Sequence, residues 1–166
     1  MCQAVQLVEV DATNWRPLVA LGVRPDQAEF VMPIAHYLCL CQFGGVWHPR
    51  AIVAGAVVVG HVMWAYDEDE GATWLGGLVI GEAMQGQGYG RAAVEAFVEE
   101  FTAEDGSVHV ALSYHPSNVA ARDLYLDIGF EETGEVEDGE AVARYVRGTT
   151  TRAGSTDPPV DQGTAT

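Results

Sequence analysis

Two hydrophobic periods trade places along this chain. Residues 5–10, rich in Val and Leu, predict a first strand, after which Asp11, Thr13 and Asn14 offer caps for a helix over 15–21. Residues 25–42 read as broadly helical. Pro33 has no N–H to give a helix interior, so the stretch should split into a turn and a helix from about Ile34. Runs of Val, Ile and aromatics over 50–54 and 56–66 flank Gly55 and predict a hairpin. Asp67-Glu68-Asp69-Glu70-Gly71 is then an acidic turn, and 73–80 a further strand. Over 88–104 the apolar positions Ala92, Ala93, Ala96, Phe97 and Phe101 form one helical face. Residues 107–114 predict a strand, 118–128 a helix, and 131–136 with 140–147 a closing hairpin through Asp138-Gly139. The order β-α-α-β-β-β-α-β-α-β-β implies an α/β (α+β) fold, a mixed sheet covered by helices.

At 166 residues the chain suits one domain. Residues 1–147 are expected to form it, and 148–166, rich in Thr, Gly and Pro, to be a disordered tail. No apolar run approaches the roughly 18 residues that span a bilayer, and the first residues lack a signal peptide's basic start, so a cytoplasmic protein is expected. Cys2, Cys39 and Cys41 have neither a disulfide framework's pattern nor zinc-ligand spacing, and read as buried or idle thiols, with no metal site. Net charge is −16, from 24 acidic and 8 basic residues. Such a chain repels nucleic acid and anionic membrane, so neither is expected as a partner. The charge admits a cationic substrate without identifying one, since an acidic surface also simply keeps a protein in solution. It leaves a homodimer open.

The most informative segment joins the strand Leu78-Val79-Ile80 to the next helix through Gln85-Gly86-Gln87-Gly88-Tyr89-Gly90-Arg91. Glycine permits unusual φ values and a close approach of ligand to backbone. The helix start adds unpaired N–H groups and the positive end of a dipole, which together favour a phosphate. In so acidic a chain these local dipoles, helped by Arg91, must do the binding. A P-loop is excluded because no lysine follows Gly90, and the glycine spacing is not that of a dinucleotide fingerprint. A structural turn ahead of a helix is the remaining plain alternative. Gln85, Gly88 and Gly90 complete the pattern Q/R-x-x-G-x-G/A, and so the segment resembles the pyrophosphate-binding loop of the GNAT superfamily of acetyl-CoA-dependent N-acetyltransferases.

A second segment agrees. Asn118, Ala121, Leu124, Tyr125, Gly129 and Phe130 match the superfamily's N-x-x-A-x-x-L-Y-x-x-x-G-F motif at every named position. Asn118 can cap a helix, and Gly129 can close it before a strand at Phe130. The resemblance implies a GNAT-like, mostly antiparallel sheet of about seven strands with about four helices, acetyl-CoA as cosubstrate, and direct transfer to a small primary amine. It implies that Leu78, Val79 and Ile80 pair with the pantetheine arm, that Asn118 bonds near it, and that Tyr125 protonates the departing thiolate. Tyr125 could equally be a core aromatic. The stretches Trp47-His48-Pro49-Arg50, Val59 to Trp64 and Trp74-Leu75-Gly76 look most like the spermine/spermidine (diamine) acetyltransferase-like group.

The base is open. Many members carry a glutamate near the position that is Gly76 here, and this chain has Gly76-Gly77. Glu29 and His61 are the candidates, beside a water chain. The acceptor pocket is expected around 29–37 and the strand near Trp64, with Trp47, Trp64 and Trp74 available to an alkyl chain. A polyamine acceptor, an antibiotic or peptide amine, and coenzyme binding without turnover are the functions to separate.

Overall fold

The computed structural model describes residues 4–102 and 109–145. The expected tail over 148–166 lies outside them, as do Cys2 and the ends of three predicted elements, 103–104, 107–108 and 146–147. The strands are β1 (Gln6–Glu9), β2 (His48–Ala54), β3 (Val57–Asp67), β4 (Ala72–Ile80), β5 (His109–Tyr114), β6 (Glu131–Glu137) and β7 (Glu140–Tyr145). The helices are α1 (Trp15–Val19), α2 (Ile34–Phe43), α3 (Tyr89–Phe101) and α4 (Val119–Ile128). One seven-stranded sheet runs β1-β2-β3-β4-β5-β7-β6. Of its pairings only β4 with β5 is parallel.

Local chemistry accounts for the boundaries. The helical pattern over 25–42 divides as Pro33 requires, into a 3-10 turn at Pro25–Gln27 and a helix that begins at Ile34. Asn118 Oδ1 accepts from the N–H of Ala121 and caps α4. At the other end Gly129, at φ 113, lets Phe130 N donate to Tyr125 O (3.0 Å) while Gly129 N donates to Leu126 O (3.0 Å). That is a Schellman closure, which turns the chain straight into β6.

Adjacent residues of β2 show how the sheet divides the core, because side chains alternate along a strand. Ile52 faces one cluster with Val94, Phe97 and Tyr125, whereas Ala51 faces a second with Leu18 and Ile34. Helices α3 and α4 therefore cover one face, and α1 and α2 the other. Burying a side chain such as Phe97 contributes roughly 1.5–3 kcal/mol.

The sheet is split at its centre. The β4–β5 ladder runs from Ala72↔His109 to Leu75↔Leu112 and stops. On the other side of β4, Val79 stands opposite His61 and Gly76 opposite Met63, so that Gly77 and Leu78 together face Val62 alone. Gly77 takes φ +56 at this bulge, a conformation glycine adopts without penalty. The bulge swings 76–80 away from β5, leaving that edge without a strand partner.

A cleft at the splayed strands

Two hollows meet at the split. The smaller, about 310 Å³, is lined by 78–80 of β4, by Gly86, Gly88 and Gly90, and by Asn118 and Leu124. Gly86 and Gly88 have φ +74 and +86, and a Cβ added at either would meet open space. The N–H groups of Gly86 through Arg91 find no acceptor among the described residues. They form a fan of donors at the start of a 13-residue helix, which favours an anion. The sequence-predicted loop residues are thus brought together, with two qualifications. Gln85 spends its side-chain amide on Ile80 O (2.9 Å) and Gln27 Oε1 (2.8 Å), so it braces the loop against the end of β4. Arg91 turns its guanidinium to Asp127 (3.2 Å) and Glu95 (3.8 Å), away from the hollow. The donors left without an acceptor at this loop are main-chain N–H groups.

The larger cleft, about 610 Å³, is lined by Tyr125, Tyr37, Gly77, Trp47 and Trp74, and by four carboxylates, Asp67, Glu137, Asp138 and Glu140. Tyr125 is 6% exposed. Its ring packs on Tyr114 and Phe130, each at 5.8 Å between centroids, and its hydroxyl has no hydrogen-bond partner among the described residues. Burial above all, and then the charge of Glu140, hold this phenol far above the usual tyrosine range. It stays protonated, a donor with no acceptor among the described residues.

The two candidate bases fall outside. Glu29 is exposed and lines neither hollow. His61 is 0% exposed and sits behind the bulge. Its Nδ1 lies 2.8 Å from Gly77 O, its ring stacks on Tyr37 at 5.5 Å, and Nε2 is buried without a partner. Since Gly77 O only accepts, Nδ1 carries a proton and donates it to this bond. Burial depresses its pKa below the ordinary 6.5, outweighing the hydrogen bond to Gly77. His61 thus pins the bulge and lines neither hollow.

A pH dependence of stability follows. The unfolded chain takes up the His61 proton first, so this residue's contribution is complete above about pH 6.5 and is lost as pH falls through the window below it. The fall in thermal midpoint from pH 8 to pH 5.5 is expected to be smaller in His61→Gln than in the parent, by circular dichroism. Identical pH dependence would show that His61 is not the group responsible.

Trp47 and Trp74 line the larger cleft as expected, but Trp64 does not. It stacks on His48 (4.4 Å) and packs at a tilt on Phe101 (5.0 Å) on the opposite face, since β3 sends Met63 and Ala65 to the cleft and the residue between them to the α3 side. The acidic turn is partly occupied by its own bonds. Asp67 Oδ1 accepts from the N–H groups of Asp69 (2.9 Å) and Glu70 (3.1 Å), and Glu70 pairs with Arg144 (3.3 Å). Cys39 is exposed, not buried. Among the described residues no cluster of His, Cys, Asp or Glu could hold a metal ion, and no helix is long and apolar enough to cross a membrane.

The carboxylate that the sequence pattern did not single out is Glu140. It opens β7, and only the β5–β7 ladder and the splay of β4 bring it to Tyr125.

Comparison with known proteins agrees with this geometry. The Acetyltransferase (GNAT) family matches residues 12–130. A spermine/spermidine N(1)-acetyltransferase of Bacillus subtilis is 33% identical over 151 residues, covering 84% of this chain and 96% of its own. Among solved structures, the spermidine N-acetyltransferase of Vibrio cholerae in complex with CoA and spermine superposes with a TM-score of 0.63 at 14% identity, over 86% of this chain and 95% of that one. The aminoglycoside acetyltransferase AAC(6')-Ib in complex with coenzyme A and kanamycin gives 0.64 at 21% identity, over 87% and 95%.

Proposed function

The chain belongs to the acetyltransferase (GNAT) family and is an acetyl-CoA-dependent N-acetyltransferase, and from this premise we propose that its acceptor is a primary amine of a small polycation, a polyamine. The observation that carries this reading is the larger cleft. Four carboxylates line it, and among its described lining residues there is no lysine or arginine. Ammonium groups are compensated there by charge, while Trp47 and Trp74 offer apolar and cation–π surface to the methylenes between them. The Bacillus subtilis relative, named for spermine and spermidine, supports the same class.

The smaller hollow suits coenzyme A. The N–H fan of Gly86 to Arg91 matches a diphosphate, and the open edge of 78–80 can pair with pantetheine amides as an added strand. Asn118 lines both hollows, with Oδ1 committed to its helix cap. Bound there, the coenzyme supplies an acetyl group activated as a thioester. The chain's own part is to hold that thioester at the split and to orient the amine across it. Tyr125 presents a proton to the leaving sulfur.

Thiol release from acetyl-CoA across a panel of amines tests the acceptor. Polyamines are expected to accelerate release at least about tenfold more than neutral amino acids do, in line with one compensated charge. Release confined to peptides or to aminoglycosides would overturn the polyamine reading.

A further inference from the structure

Direct transfer needs a neutral amine, yet the acceptor arrives as an ammonium. Something beside the thioester must take a proton, and neither Glu29 nor His61 is placed to do so. Of the four carboxylates in the larger cleft, three are poorly placed or already engaged. Asp67 is held by the N–H groups of its own turn, and Glu137 and Asp138 stand exposed at the tip of the β6–β7 hairpin. Glu140 is different. It is partly buried at the start of β7, and Ser113 Oγ donates to its Oε2 at 2.6 Å. That bond holds the carboxylate, and among the described residues Oε1 has no hydrogen-bond partner. No cation pairs with it among the described residues. It lines the same cleft as Tyr125 of α4 and Tyr37 of α2, which come from opposite faces of the sheet. It therefore stands at the gap between β4 and β5, where thioester and amine must meet.

We propose that Glu140 is the proton acceptor of the transfer, the catalytic base that stands in for the glutamate absent from β4. This rests on the reading of the larger cleft as the amine site. Glu140 takes one proton from R–NH3+ and leaves R–NH2, whose lone pair forms the C–N bond as the C–S bond breaks. The nitrogen sheds its second proton, and the sulfur gains one from Tyr125, which is restored by the proton the nitrogen released. The products are the amide, the thiol and one proton that Glu140 returns to water. Acid and base are then two groups in one cleft with opposite tasks: a phenol kept protonated and a carboxylate that is free to accept.

Glu140→Gln keeps the shape and the acceptor for Ser113 and removes the basicity. With an ordinary alkyl polyamine its kcat is expected to fall about 10²-fold, the lower end of the contribution of a general base, while coenzyme A affinity stays the same. With a β-fluorinated amine that is already neutral at the assay pH, the deficit is expected to shrink to less than about tenfold. Glu140→Asp, which retains the carboxylate, is expected to keep more activity than the Gln variant, and it carries the test should the Gln variant not fold. A Gln variant within about threefold of the parent overturns the proposal. So does an equal deficit with both amines, which would mean a positioning role, or an Asp variant as inactive as Gln. Failure of the parent enzyme to turn over any amine would instead overturn the reading of the cleft, and this inference with it.

Discussion

Tyr125→Phe is expected to lower kcat by about 10²-fold or more and to leave both coenzyme A affinity and thermal midpoint essentially unchanged. The size follows from the usual contribution of a positioned proton donor. The selectivity follows from geometry. The ring makes the packing contacts, with Tyr114 and Phe130, and phenylalanine keeps them. The hydroxyl makes no hydrogen bond among the described residues, so the fold loses nothing with it. Because burial and Glu140 raise the phenol's pKa, Tyr125 should contribute no titration to the rate between pH 6 and 9. Thiol release gives kcat, calorimetry gives the affinity, and an unaltered kcat would remove the residue from the chemistry.

The second large effect is expected at Gly88, in binding rather than rate. Gly88 precedes α3 at φ +86, and a Cβ there would meet no protein atom within 4 Å. In Gly88→Val the strained backbone costs on the order of 1–2 kcal/mol, and the side chain enters the space above the free N–H groups. Coenzyme A affinity is expected to fall by about 10²-fold, more than the loss of stability measured by denaturant. Equal affinity in parent and variant would show that the diphosphate is held elsewhere.

Local signals made much of this architecture legible in the sequence. Pro33 divides a helical stretch, Asn118 caps a helix, Gly129 closes it, and each acts within a few residues, so each could be read in place. The glycine loop and Tyr125 were legible because both follow fixed spacings on one helix start or one helix face. The splay was not. It depends on Gly77 taking φ +56 and on β4 losing β5 after Leu75, and the β5 partner is 37 residues away at Leu112. Glu140 was hidden for the same reason, because its nearest anchor, Ser113, is 27 residues away in sequence. Trp64 was misplaced because strand alternation says which residues share a face but not which face meets the cleft. His61 had the right chemistry for a base and the wrong side of the bulge.

Six residues, Phe30, Val31, Leu78, Asn118, Ala121 and Leu124, belong to the walls of both hollows. Whatever fills one hollow therefore touches residues that also line the other. If the coenzyme tightens the amine by some factor, thermodynamic linkage obliges the amine to tighten the coenzyme by the same factor. These six shared residues are the most direct route by which one ligand could act on the other.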